Sequence, residues 1–134
     1  MVEKILRQTP SGQCYRKTAM PTYVLMTKLS TRTTAEEGSR RARGKDWKEK
    51  VERLCPGLKW TAHYALLGTY DFMDIYEAPD DETAFKVSML SRAEGASSAE
   101  SWPAIGYGQF LELHDAVEAE HAGKRVTRGS GKSR

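Results

Sequence analysis

The sequence predicts one α+β domain over roughly residues 20–115, with a polar stretch at either end. Three observations predict it. Four runs between residues 20 and 115 are rich in β-branched, aromatic or apolar residues. Two segments between them carry helix punctuation and helical spacing. The second and third runs are separated only by Gly68-Thr69, a turn pair.

The elements follow in order. Tyr23–Leu29 comes directly after Met20-Pro21-Thr22 and reads as a first strand. Ser30–Thr34 supplies helix-capping side chains, and Ala35–Leu54 reads as helical. Trp47, Val51 and Leu54 recur at i, i+4 and i+7 and predict the core stripe. Gly38 and Gly44 weaken the first half and point to a kink or loop around Arg40–Lys45. Pro56-Gly57 ends the helix. Leu58–Leu67 and Tyr70–Ala78 read as strands two and three, joined by a two-residue type II′ turn. Asp80 and Asp81 open a second helix to Glu94, and Gly95 closes it. Ala96–Pro103 reads as a loop and Ala104–Leu113 as strand four, with Gly106 and Gly108 alternating on one face. The order strand–helix–strand–strand–helix–strand is the ferredoxin-like plan. It predicts a four-stranded antiparallel sheet with two helices on one face.

Charge divides the chain the same way. Residues 1–19 carry a net +3 and residues 123–134 a net +5. Residues 20–122 hold 12 basic and 17 acidic residues, a net of −5. An acidic body argues against a nucleic-acid-binding domain, whose footprint is a basic folded surface. Residues 1–19 are expected to be a flexible extension, with Met20 an alternative start, and residues 116–134 a polar basic tail. Cys14 and Cys55 form no metal-ligand or disulfide pattern, and no apolar run has membrane-spanning length, so a cytoplasmic protein is expected.

The hairpin segment reads Ala65-Leu66-Leu67-Gly68-Thr69-Tyr70-Asp71-Phe72-Met73-Asp74-Ile75-Tyr76-Glu77-Ala78-Pro79-Asp80-Asp81. It resembles the GYD-domain family, named for the residues that here are Gly68, Tyr70 and Asp71. The opening Met20–Leu25 and the run Glu77–Asp81 resemble it too. The resemblance implies a ferredoxin-like fold of the dimeric α+β-barrel type, in which two sheets face each other across a homodimer. It implies a fold and not a reaction. The basic Ser39–Lys45 stretch and the Trp102–Gly108 segment depart from the family pattern.

Strand pairing across a two-residue turn sets Leu67 opposite Tyr70, Ala65 opposite Phe72 and His63 opposite Asp74. One face then carries His63, Tyr70, Phe72, Asp74 and Tyr76. The other carries Trp60, Ala62, Leu66, Met73 and Ile75 and is expected to meet the helices. His63 with Asp74 has the makings of a general base, because a carboxylate fixes the histidine tautomer and raises its basicity. Tyr70, Asp71, Phe72 and Tyr76 are candidate ligand contacts in a cavity between two sheets. The plainer reading makes His63–Asp74 a cross-strand pair without chemistry, and Asp71 a cap on turn amides near Gly68.

His114, Glu118 and His121 share a helical face but lie in polar sequence, which favours a solvated helix over a metal site. Arg40, Arg41, Arg43 and Lys45 could recruit an anion, or form a solvated loop. No dinucleotide-binding, P-loop or serine-hydrolase motif occurs. No cofactor is therefore expected. The functional expectation is a homo-oligomeric module binding a small molecule or partner. The alternative is a cofactor-independent enzyme, performing proton transfer or oxygenation through His63 and Asp74.

Overall fold

The structure is a computed structural model. It describes residues 7–8, 14–15, 20–35 and 39–129, with side chains for 20–33 and 39–124. The remaining parts of the predicted flexible extension and basic tail lie outside the described residues. Two short strands, β1 (Arg7–Gln8) and β2 (Cys14–Tyr15), pair antiparallel. The sheet proper is built from β3 (Thr22–Leu29), β4 (Lys59–Ala65), β5 (Phe72–Glu77) and β6 (Ala96–Ala104). Its order is β4-β5-β3-β6, with every pair antiparallel. With the helices between them, this is the ferredoxin-like arrangement.

The predicted helical region holds two helices among the described residues. A short α1 (Thr31–Ala35) is followed by α2 (Arg40–Leu54), which starts at Ser39, whose Oγ accepts the Ala42 N–H. The helix runs on through Gly44, so Arg40–Lys45 is helical and not the loop that its glycines suggest. The second helix, α3 (Asp81–Ala93), starts at Asp80, whose carboxylate accepts both the N–H and the hydroxyl of Thr83. These bonds hold the Asp80 carboxyl below its ordinary range.

The buried core lies between the helices and one sheet face. It contains Tyr23, Leu25, Tyr76 and Ala99 from the strands, Val51 and Cys55 from α2 and its end, and Ala84 and Val87 from α3. The true α2 stripe is Trp47, Val51 and Cys55; Leu54 is exposed. Small residues at Ala78, Ala84 and Ala99 leave room for the stacked Tyr23 and Tyr76 rings. Their hydroxyls are bonded to Asp81 and Ser101. Burial pushes the Tyr76 phenol up to about 12 and raises that of Tyr23 as well. Trp47 Nε1 donates to Ser91 at 3.0 Å and ties α2 to α3.

Strand four lies where a loop was expected. Ala96–Ala104 pairs with β3 along its length, and Pro103 is tolerated because β6 is an edge strand. The predicted strand at Ala104–Leu113 is instead the start of α4 (Tyr107–Gly129), whose described side chains are exposed. This helix belongs to a separate compact unit, Ile105–Arg134. Gly106 precedes it and Gly108 lies in its first turn. Among the described residues no helix is long and apolar enough to cross a membrane.

Candidate functional site

A cleft of about 790 Å³ opens between α2 and the helix-side sheet face. Its origin is legible in the helix. Continuing the core stripe Cys55, Val51, Trp47 toward the N-terminus brings up Gly44 and Arg40, where large apolar groups would close the layer. Gly44 has nothing within 4 Å of where a Cβ would stand. The strands opposite supply Thr27, His63, Phe72 and Asp74, with Leu29 the one large aliphatic side chain among the strand residues that line it. Trp47 and Trp60, whose rings lie 5.3 Å apart, wall the cleft on the core side.

His63 and Asp74 are directly opposed on β4 and β5, as the hairpin pattern predicts. His63 Nδ1 is hydrogen-bonded to Asp74 Oδ1. The Asp74 side chain is only 4% exposed and that of His63 is 61% exposed. Burial raises the Asp74 carboxyl above its ordinary range, against the opposing pull of His63 and Lys48. The His63 ring stacks on Phe72 with centroids 5.7 Å apart. The Arg40 guanidinium lies 4.6 Å from the centre of the same Phe72 ring. A buried carboxylate thus orients an accessible imidazole beside an aromatic platform.

The faces of the sheet are the reverse of those expected. Phe72, Asp74 and Tyr76 turn toward the helices, whereas Met73 and Ile75 turn away. The His63–Asp74 pair therefore does not line a space between two sheets. The expectation counted apolar residues, but both faces are amphipathic, and the helix side uses aromatic residues with bonded hydroxyls. A bulge at Thr61 brings Trp60 to the helix side, opposite Tyr76, while Ala62 pairs with Ile75.

The turn is also longer than two residues. The strands stop at Ala65 and Phe72, and the Leu66 N–H bonds the Asp71 carbonyl across Leu67–Tyr70. Leu67 and Tyr70 are not a strand pair. Asp71 explains the departure, because β3 holds it. Its N–H donates to the Thr27 carbonyl at 2.8 Å, and its Oδ2 accepts the Leu29 N–H at 2.7 Å. Asp71 caps the end of β3, not the turn near Gly68.

Of the candidate ligand contacts, only Phe72 joins His63 and Asp74 at the cleft. Tyr76 is fully buried in the core. The Tyr70 hydroxyl donates to Glu100 at 2.9 Å, and its ring meets Trp102 edge-on. Glu100 and Trp102 pair with Met26 and Val24, so Tyr70 belongs to the opposite sheet face. Sequence reasoning missed Trp47, Trp60 and Lys48 as cleft residues. The signal for Trp47 and Lys48 was the helical spacing from Arg40 and Gly44. His114, Asp115 and Glu118 sit together on α4, all exposed.

Comparison with protein-family models matches residues 23–114 to the GYD domain. No curated protein and no solved structure matches the chain. The match spans the four strands, both sheet-packed helices and the start of α4, and on it the chain belongs to the GYD domain family.

Proposed function

We propose that this protein is a homo-oligomeric small-molecule-binding module whose ligand occupies the cleft between α2 and the sheet. The observation that carries this reading is the pairing of a roughly 790 Å³ cleft with the His63–Asp74 dyad and the Phe72 ring on its floor. Ligand sites are concave and mostly apolar, with a few convergent polar groups, in the range of about 300–1,000 Å³. A buried carboxylate with a raised pKa is a further mark of a functional site.

Oligomerisation is supported by the other sheet face. Val24, Met26, Met73, Ile75, Tyr64 and Trp102 gather there, and Tyr64 and Trp102 are exposed. A second copy applied sheet to sheet would remove this face from water. Buried Cys55, a free thiol, suits the reducing cytoplasm.

A second reading makes the cleft catalytic. With Asp74 accepting from Nδ1, the His63 Nε2 is left as the basic nitrogen, suited to take a proton from a bound carbonyl or phenol. Native mass spectrometry tests the first reading: a mass of two or more subunits supports it, and a monomer at micromolar concentration contradicts the oligomer. His63→Gln separates the readings. A binding module whose dyad holds the ligand loses affinity, whereas an enzyme loses turnover with little change in ligand affinity.

A further inference from the structure

The cleft wall carries a charge opposite to that of the body around it. Five of the 12 cations between residues 20 and 122 line it: Arg40, Arg41, Arg43, Lys45 and Lys48. Two acids line it as well. Asp74 is held by His63, and Glu94 is bound by Lys50 at 2.8 Å. A concave, cationic wall over a low-dielectric floor concentrates anions.

The remaining lining is flat and aromatic. Phe72 lies in contact with both the Arg40 guanidinium and the His63 ring, and Trp47 and Trp60 form the adjacent wall. Trp60 Nε1 is the one buried side-chain polar atom, among the described residues, with no hydrogen-bond partner. Guanidinium groups recognise carboxylates through paired N–H donors and stack on rings at the same time.

Resting on the cleft reading above, we infer that the site selects small planar anions, an aromatic or conjugated ring bearing a carboxylate. The acid group meets the Arg40–Arg41 end of α2, and the ring lies against Phe72 and the tryptophans. A bare inorganic anion would leave the aromatic wall unused. A neutral ring would leave the cations unused.

The test uses the full chain and two fluorescent probes of one shape: anilinonaphthalene sulfonate and its uncharged parent, N-phenylnaphthylamine. Gly44→Phe is the plug. Its side chain enters open space, and loss of a mid-helix glycine favours the fold. At low ionic strength the sulfonate is expected to bind at least about tenfold more tightly than the neutral probe. The ratio falls severalfold in Arg40→Gln/Arg41→Gln and in about 0.5 M salt, and Gly44→Phe abolishes binding of both. Equal affinities, both lost in Gly44→Phe, overturn the anion selectivity and leave the cleft standing. Binding unchanged in Gly44→Phe puts the probes elsewhere and overturns both.

Discussion

His63 Nδ1 bonds Asp74 Oδ1 across the β4–β5 pair, joining a mostly exposed imidazole to an almost fully buried carboxylate. Burial outweighs the neighbouring cations, and the carboxyl is raised above its ordinary range. The native state thus binds this proton more tightly than the unfolded chain. The stability it contributes is complete below the unfolded pKa and is lost as pH rises through the folded one. At neutral pH the ionised Asp74 is a cost. Asp74→Asn is therefore expected to gain stability relative to the parent as pH rises toward 7. The gain should vanish as pH falls below about 4. Urea unfolding across this range checks it. A variant that loses stability relative to the parent as pH rises would mean that the His63 pair outweighs desolvation.

Asp71, one of the residues that carry the family resemblance, clamps the end of β3. Asp71→Ala leaves the Leu29 N–H without its carboxylate and frees the hairpin end from β3. A loss of about 1–3 kcal/mol is expected. Probe affinity per folded molecule should not change, as titration calorimetry would report.

Gly95 ends α3 at φ +113°, and a Cβ there would run into the Thr33 side chain at Oγ1. That hydroxyl already donates to the Gly95 carbonyl at 2.7 Å. Gly95→Ala combines a strained backbone with a clash. It is expected to lower stability by more than about 1 kcal/mol in thermal or urea unfolding.

Ile75 points away from the helices at the centre of the apolar sheet face. Ile75→Lys places a charge where a second copy would pack. Light scattering should show the variant as a monomer with unchanged circular dichroism. An unaltered oligomer would move the interface off this face.

The strand and helix order was legible because Tyr23–Leu29, the hairpin and the Asp80 cap each carry local signals. The His63–Asp74 pairing was legible because Ala65 and Phe72 keep the expected register despite a longer loop. Strand four was hidden, because seven of the nine residues of Ala96–Ala104 are alanine, serine or proline, with only Glu100 and Trp102 larger. Its place in the sheet comes from pairing with β3 and from Ala99 fitting under the helices. The faces were hidden for another reason. Tyr76 and Asp74 look polar, yet Ser101, α3 and His63 give them partners on the helix side. The cleft was half visible. The basic residues of α2 were recognised, but a break expected at Arg40–Lys45 concealed that they share a helical face with Gly44 and Trp47.

The most direct test of the central claim is protein-observed NMR during titration with small aromatic acids. Trp47 and Trp60 flank the cleft, and Trp102 on the opposite sheet face is an internal control. The indole signals of Trp47 and Trp60 should move together with the imidazole of His63 while Trp102 stays still. Shifts confined to Trp102, with Trp47, Trp60 and His63 unmoved, would contradict the cleft as the binding site.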